Sequence, residues 1–240
     1  MKKIGNIFSW VCLIGVIIFL MAFTEKKQEL VNCQDFKVIV EASVNNFVDE
    51  QLVNDLLKKE DIFPIGKLRA EMEIDKIERA LTNHSMIEEA HAYSDITGNI
   101  GVDLIQRTPI VRVHSLADSF YIDDNGERMN LSDSFTARVL VISGNINLML
   151  DQELFLLARY IYNSVFWKAQ IMQVFVESNG DLLLIPRVGY QKIIFGKVRD
   201  IEEKFNKLKV FYKKGANEGW NKYSEINLKF KNQVVCTRKL

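Results

Sequence analysis

The sequence predicts an α+β fold: an N-terminal transmembrane helix, a small unit of strands and helices, and a mixed β-sheet domain with flanking helices. Three observations predict it. One uncharged apolar run, Ile4 to Thr24, resembles nothing else in the 240-residue chain. The segment at 36–109 is patterned as strand, helix, helix, strand, strand. The segment at 110–240 contains β-hairpin signals separated by two amphipathic helices.

The apolar run Ile4 to Thr24 has the length of a membrane span. About 20 residues at roughly 1.5 Å rise cross a hydrocarbon core of about 30 Å. A cleaved signal peptide is the alternative, because Lys2 and Lys3 could form its basic region. The run is longer than a usual signal core, and Ala22 stands between large residues, where a cleavage site needs small ones. We therefore predict an uncleaved anchor.

The charges beside this run do not determine its orientation, since a pair of lysines flanks each end (Lys2 and Lys3, Lys26 and Lys27). A three-residue tail is more easily retained than translocated, which favours an N-terminus on the inside. The predicted organisation is then a tail at 1–3, the span at 4–24 and a connector at 25–35, followed by the two units.

Composition excludes some functions. Lys and Arg total 31 and so do Asp and Glu, which argues against a nucleic-acid binder that relies on global charge. The three cysteines, Cys12, Cys33 and Cys236, lack metal-ligand spacing. Cys33 and Cys236 could pair in an oxidising compartment, but nothing local brings them together, and two free thiols are favoured.

The spacing of apolar residues and a helix-capping residue predict the strands and helices of the first unit. Phe36 to Ala42 alternates as a half-buried strand, and Asp49 can cap a helix with an apolar stripe. A second helix and two strands around a Thr-Gly-Asn turn complete the unit. The stripe residues are Leu52, Val53, Leu56 and Leu57 in the first helix, and Ile74, Ile77 and Leu81 in the second; the last strands are Ile87 to Ser94 and Ile100 to Gln106.

The second unit is predicted in the same way. Its turns are marked by Asp124-Asn125-Gly126 and Asn179-Gly180. The predicted strands are Phe120 to Asp123, Arg138 to Ser143, Ile171 to Glu177, Leu182 to Ile185, Ile193 to Gly196, Tyr223 to Phe230 and Val234 to Cys236. The predicted helices are Asp151 to Asn163 and one with Ile201, Phe205 and Leu208 inward and Lys204, Lys207 and Lys209 outward.

The first unit, directly after an anchor, resembles a polypeptide-transport-associated (POTRA) domain with βααββ order. Its segments "IDKIERAL", "MIEEAHAY" and "LIQRTPIVRV" are similar to a stretch of the FtsQ/DivIB cell-division family. Ala90, Ala92, Arg107, Pro109 and Val111 stand at matching places. The second unit resembles the family's β-domain through "YIDDNGERM", "SNGDL", "IIFG" and the closing "INLKF", in family order and in the version of Bacteroidetes-type members.

This resemblance implies a non-catalytic scaffold of the division machinery with no cofactor. It implies a single-pass inner-membrane protein with a short cytoplasmic tail and a periplasmic body, located at the septum. The implied partners are FtsB and FtsL, and through them the septal peptidoglycan synthases FtsW and FtsI. In the family, the last strands of the β-domain accept FtsB as an added strand and helix.

Motifs for enzymatic chemistry are missing from the sequence. The three histidines, His84, His91 and His114, fall in no metal pattern, and no P-loop, G-x-S-x-G or G-x-G-x-x-G occurs. The adjacent acids Glu88-Glu89 and Glu202-Glu203 point in different directions on a strand or helix, so neither pair can act on one atom. A periplasmic hydrolase is therefore disfavoured.

An unpaired strand edge is the remaining candidate for function, since its N–H and C=O groups can accept an extended partner. The family resemblance places that edge at the closing strand, Tyr223 to Phe230, with Asn232 to Val235 after it. The candidate partner-binding residues are Tyr223, Ile226, Asn227, Leu228, Lys229, Phe230, Asn232 and Val234.

An ordinary core role competes with this assignment. Ser224, Ile226, Leu228 and Phe230 share one face of the predicted strand, which favours packing on the protein's own core. By geometry, the main-chain groups together with Tyr223, Asn227 and Lys229 are the better interface candidates.

The sequence permits two further interpretations. The lysine-bearing helix, Lys197 to Lys214, could bind a membrane surface or an anionic polymer, but its acids favour a solvated outer face. A POTRA-bearing chaperone of secretion or outer-membrane assembly is the alternative function. Such proteins usually carry repeated POTRA units or a C-terminal barrel, and the sequence has the pattern of neither.

Overall fold

The computed structural model describes residues 13–19, 31–115, 118–215 and 222–239. The predicted tail, most of the predicted span and most of the connector lie outside the described residues. Within the span, residues 13–19 are helical with exposed apolar side chains. In the part of the chain that the structure describes, no helix is both long and apolar enough to cross a membrane.

The chain divides into two units between Gln106 and Arg107, each with its own sheet. The sequence pattern predicts this boundary after Pro109. The first unit contains β1 (Phe36–Val40), α1 (Glu50–Lys59), α2 (Ile74–Thr82), β2 (Ile87–Ser94) and β3 (Ile100–Gln106). Its three strands are ordered β1-β3-β2, with β1 parallel and β2 antiparallel to β3. The predicted strand, helix, helix, strand, strand order is confirmed.

Local chemistry explains why the first unit forms these helices. The Asp49 side chain accepts a hydrogen bond from the Leu52 N–H at 2.8 Å and so caps α1. The stripes of both helices supply fully buried side chains to a core shared with the sheet. The buried residues are Val53 and Leu57 of α1, Ile77 and Leu81 of α2, and Ile87, Ile100, Val102 and Leu104 of the strands.

The second unit is built on a nine-stranded mixed sheet in the order β12-β11-β10-β9-β8-β7-β4-β5-β6. Its strands are β4 (Pro109–His114), β5 (Ser119–Asp123), β6 (Arg128–Met129), β7 (Leu140–Gly144), β8 (Ile171–Val176), β9 (Leu182–Pro186), β10 (Lys192–Gly196), β11 (Tyr223–Asn227) and β12 (Val235–Arg238). Its helices are α3 (Asp151–Tyr162), α4 (Val165–Gln170) and α5 (Ile201–Gly215). The mixed sheet with flanking helices is confirmed.

The core of this unit is aromatic at its centre. The Phe205 ring of α5 lies 4.8 Å from Tyr160 and 4.8 Å from Trp167, measured between centroids, and 5.3 Å from Phe195 of β10. Trp167 belongs to α4, a helix that the sequence analysis missed. Aromatic pairs stabilise a core beyond the effect of the apolar area that they bury. This cluster packs α5 against α3, α4 and β10.

A buried ion pair orders the beginning of the second unit. The Asp123 side chain is fully buried and accepts from Arg107 Nη1 at 2.7 Å. Its other carboxylate oxygen accepts from the N–H groups of Asn125 and Glu127 at 3.0 and 2.7 Å. The carboxylate thus satisfies the β5–β6 turn and links it to the first residue of the unit.

Gly144 ends β7 in a conformation that a side chain would strain. Its φ is +99°, and a Cβ there would overlap the Val176 carbonyl oxygen of β8. We predict that Gly144→Ala lowers the free energy of unfolding by more than about 2 kcal/mol, since backbone overlap adds to the left-handed strain. Urea unfolding followed by circular dichroism measures the loss.

Gly126→Ala is the matched control for this prediction. Gly126 also has a positive φ, of +92°, but a Cβ there meets only the Phe155 ring at 3.4 Å, an ordinary contact. It should cost about 1 kcal/mol from backbone strain alone. Equal losses of unfolding free energy in the two variants would show that the close approach of Gly144 to Val176 does not contribute to the effect.

Candidate protein-interaction site

The open edge of the large sheet is β12, not the strand that the sequence analysis chose. Tyr223–Asn227 forms β11, which pairs in parallel with β10 on one side and antiparallel with β12 on the other. The main-chain groups of β11 are therefore used within the sheet, and the prediction of an open edge there is wrong. Among the described strands, β12 (Val235–Arg238) has a neighbour on one side only.

β11 and β12 form a hairpin, and hydrogen bonds at its two ends indicate which main-chain groups of β12 point away from the sheet. The Leu228 N–H donates to the Ile194 carbonyl of β10 at 2.9 Å, and the Lys239 N–H donates to the Lys222 carbonyl at 2.9 Å. Because backbone groups alternate sides along a strand, Val235 and Thr237 then face β11. The N–H and C=O groups of Cys236 and Arg238 face away from the sheet.

Two other sheet edges, one in each unit, are less suited to accept a strand. In the second unit, β6 has only two residues, and its Arg128 is held by Asp151 through an Nη2–Oδ1 hydrogen bond of 2.8 Å. In the first unit, the Glu78 side chain of α2 accepts from the Ala92 N–H of β2 at 2.8 Å, which blocks part of that edge. Short edges and covered edges are the devices by which proteins discourage pairing.

A row of side chains crosses the solvent face of the sheet and ends at β12. Its register runs through six neighbouring strands: Ser143, Phe175, Leu183, Ile194, Asn227 and Val235. Phe175 is 37% exposed and Val235 is 44% exposed, while Leu183 and Ile194 are half-buried. This row, which we call the outer apolar row, extends the open edge into a partly apolar surface.

Sequence reasoning did not select the outer apolar row because its members lie on six separate strands. The signal that could have found them is the presence of apolar residues on both faces of β8, β9 and β10, as in "LLLI" and "KIIF". Two-sided apolar strands are expected where both faces of a sheet are covered.

The eight predicted binding residues separate into distinct environments. Ile226 and Leu228 are fully buried in the core, and Tyr223 is half-buried with its ring 5.8 Å from Phe211 of α5. Asn227 lies in the outer apolar row, and Val234 packs partly against the core. Lys229 forms an ion pair, described below. Phe230 and Asn232 are exposed in the turn before β12.

The prediction that Phe230 continues the buried face of the closing strand is wrong. Regular pairing of β11 ends at Asn227, and the chain then turns, with Asn232 at a φ of +58°. Strand alternation does not extend through such a turn, so Phe230 is 49% exposed although Leu228 is fully buried. Phe230, one of the predicted partner-binding residues, therefore has an aromatic side chain that a partner can reach.

Lys229 is held against Asp181, the residue before β9. Its Nζ lies 2.7 Å from Asp181 Oδ2, and Lys197 Nζ lies 3.8 Å from Asp181 Oδ1. The hydrogen bond from Lys229 lowers the pKa of the Asp181 carboxyl below its ordinary value of 3.8. The Lys229 stem also passes over Gly196, where a Cβ would lie 2.9 Å from its Cγ. This side chain thus fixes the end of β11 to its neighbours.

The expected outward orientation of the lysines of α5 is wrong for Lys204, which is only 6% exposed. Its Nζ donates to the Lys197 carbonyl at 2.8 Å and lies 4.5 Å from the centroid of the Phe195 ring. Lys207 also turns toward the protein and donates to the carbonyls of Leu228 and Phe230 at 3.1 and 2.7 Å. Long lysine stems allow such burial along a helix.

No cluster of three or more His, Cys, Asp and Glu side chains that could hold a metal ion occurs in the described ranges. His84 is half-buried, and burial lowers its pKa. Cys33 and Cys236 are both free thiols, and burial raises the pKa of Cys236.

Taken together, the two units define a class of protein: a small βααββ unit followed by a large mixed sheet that ends in an open strand. Comparison with family models agrees with this class. Residues 31–105 match the POTRA-like domain, and residues 108–237 match the model described as FtsQ/DivIB, C-terminal related. A search of curated proteins found no match.

The second match covers more than half of the chain, and the protein belongs to the FtsQ/DivIB C-terminal related family. The resemblance drawn from "YIDDNGERM", "SNGDL" and "INLKF" is thereby confirmed.

The Lys229–Asp181 pair predicts a pH-dependent contribution to stability. Because the pKa of Asp181 is lowered in the folded state, the pair stabilises the fold above the ordinary carboxyl pKa, and this contribution is lost as the pH falls through the lowered value. We predict that Lys229→Met costs about 1 kcal/mol at neutral pH and less in acid, below the lowered pKa of the carboxyl. Urea unfolding at neutral pH and at acid pH measures the difference.

Lys231→Met provides the control, since Lys231 is an exposed lysine two residues away. It should leave the unfolding midpoint unchanged at either pH. If Lys229→Met destabilised the protein equally at both, the stem packing over Gly196, rather than the charge, would be the source of the stabilisation.

Proposed function

We propose that this protein is a non-catalytic scaffold of the division machinery, anchored in the inner membrane by one N-terminal span with its body in the periplasm. It joins FtsB- and FtsL-type partners and so helps to position septal peptidoglycan synthesis by FtsW and FtsI. The observation that carries this proposal is the open edge of β12 in a unit that matches the FtsQ/DivIB model.

Strand addition is the mode of binding that this edge favours. Cys236 and Arg238 would supply main-chain donors and acceptors to an extended partner segment, and the affinity of such a complex comes largely from those bonds. The edge is flanked by exposed side chains that could add specificity, among them Phe230 before β12 and Val235 within it.

The outer apolar row supports a second contact on the same partner. Phe175, Leu183 and Ile194 continue from Val235 across the sheet, so a partner that pairs with β12 could lay an amphipathic helix over them. Helices bind in this way through apolar anchors at regular spacing. The strand and the helix together would bury more surface than a single edge strand alone.

A chaperone-like role in secretion or outer-membrane assembly is the alternative function, and the POTRA-like unit is the observation that favours it. That unit accounts for residues 31–105, whereas the FtsQ/DivIB match accounts for 108–237. The larger match supports the scaffold.

Depletion of the protein from its host distinguishes the two functions. We predict filamentous cells with uncompleted septa, because the septal synthases would lose their assembly platform. The measurement is cell length and septum morphology by microscopy, with a plasmid-borne copy of the gene as the control. Normal division accompanied by an outer-membrane assembly defect would contradict the scaffold and support the chaperone.

The strand-addition edge is tested by removing one outward N–H. Arg238→Pro deletes a donor that faces away from β11, so the hairpin should persist because proline is tolerated on edge strands. We predict about tenfold weaker capture of the FtsB-type partner, corresponding to one lost main-chain hydrogen bond. Pull-down of the full chain from membranes, with quantified co-purifying proteins, measures this.

Arg238→Ala is the matched control, because it removes the same side chain and keeps the N–H. It should bind the partner as the unaltered protein does. If Arg238→Pro remained folded by circular dichroism and also bound normally, the assignment of the interface to β12 would be wrong.

A further inference from the structure

A concentration of positive charge lies where β10 and β11 end and α5 begins. A cavity of about 510 Å³ at this place is lined by six basic and three acidic side chains, although the whole chain carries no net charge. The basic residues are Lys197, Arg199, Lys204, Lys207, Lys229 and Lys231, and the acidic ones are Asp181, Asp200 and Glu203. We call this cavity the cationic pocket.

Lys204 is the feature that separates the cationic pocket from an ordinary charged surface. An ammonium group on a side chain that is only 6% exposed is costly unless it is paired. Among the contacts of the described residues, its Nζ has the Lys197 carbonyl as acceptor and the Phe195 ring beneath it. An ammonium carries three donors, so capacity remains for an anion in the pocket.

The neighbouring groups hold this charge in place without neutralising it. Lys229 and Lys197 share the single carboxylate of Asp181, at 2.7 and 3.8 Å. Lys207 is fixed by the carbonyls of Leu228 and Phe230 and lies 3.7 Å from Glu203. The lysine positions are thus set by the fold before any ligand arrives, which reduces the entropic cost of binding.

The electrostatics of the pocket agree with this geometry. Burial lowers the pKa of Lys204, and the positive charges of Arg199 and Lys207 lower it further, against the opposing effect of Asp200 and Asp181. A bound anion would reverse the balance by adding an opposite charge next to the group.

We propose that the cationic pocket binds a phosphate group. Ammonium groups from three chain segments (the loop between β10 and α5, α5 itself, and the segment after β11) surround one concave space, and a tetrahedral phosphate offers acceptor oxygens in several directions. Lysine acts as a point charge suited to phosphate, while planar carboxylates are matched better by paired arginine forks. The volume is that of a small-ligand site rather than of a groove for a helix. The existence of this site is independent of the proposed scaffold function.

The test is calorimetric titration of the full chain, in detergent, with inorganic pyrophosphate against sodium chloride of equal ionic strength. We expect saturable binding of pyrophosphate. The double variant Arg199→Gln/Lys231→Gln should bind about tenfold more weakly, because two cations are lost from the rim. Both residues are exposed, so the fold should be unaffected. Lys204→Met, if it remains folded by circular dichroism, should weaken binding further.

The matched control is Lys209→Gln/Lys213→Gln, which removes the same charge from exposed positions of α5 outside the pocket. It should bind pyrophosphate normally. Equal weakening in both double variants would overturn the pocket assignment, since general charge would then explain the binding. Absence of pyrophosphate binding to the unaltered protein would overturn the assignment as well. A hexaglutamate peptide, titrated in the same way, tests for a carboxylate ligand; if it bound and pyrophosphate did not, the phosphate site would be wrong.

Short-chain lipids identify the source of the phosphate. Dihexanoyl phosphatidylglycerol and dihexanoyl phosphatidylcholine are titrated below their micelle concentrations in the same way. An anionic lipid headgroup is supported if phosphatidylglycerol binds in preference to phosphatidylcholine and if Arg199→Gln/Lys231→Gln weakens that binding. Binding of pyrophosphate with neither lipid supports a free or polymer-borne phosphate.

Discussion

The parallel pairing of β11 with β10 determines what the second unit can offer to other molecules. Parallel neighbours need a crossover, and α5 makes it, fastened over the sheet by Phe205 and its aromatic contacts. A hairpin then returns the chain, so that β12 must lie outside β11. Among the described strands, the open edge is therefore β12, and β11, which lies within the closing strand that the family resemblance identifies as the edge, is an interior strand.

The sequence predicts the first unit almost completely because its determinants are local. Asp49 caps α1 as its position suggests, and β2 and β3 have the predicted bounds, since alternation and a Thr-Gly-Asn turn act within a few residues. The same applies to α3 and to the β8–β9 hairpin in the second unit. Helix α4 is missed because six residues carry too little periodicity to be distinguished from a loop.

The candidate site could not be predicted in the same way because it is not local. Which strand lies at the edge depends on the order of nine strands, and the outer apolar row joins residues from six of them. Alternation predicted Ile226 and Leu228 as core correctly but failed at Phe230, where the strand had already ended. The helical spacing of apolar residues predicted Lys204 on the outer face of α5. Its aliphatic stem is nevertheless long enough to bring the ammonium group into the cavity beside Phe195.

The edge and the cationic pocket are connected by a single short segment. Lys207 donates to the carbonyls of Leu228 and Phe230, and Lys229 reaches Asp181, so both lysines fix the chain that leads into β12. An anion bound in the pocket would accept hydrogen bonds from the donors that these ammonium groups have left, and it would hold the segment more firmly than the carbonyls and the carboxylate do alone. Binding in the pocket and pairing at β12 would then affect each other, and thermodynamic linkage requires the two effects on affinity to be equal. The segment 228–234 is where such coupling would act, since it contacts the pocket at one end and begins the open strand at the other.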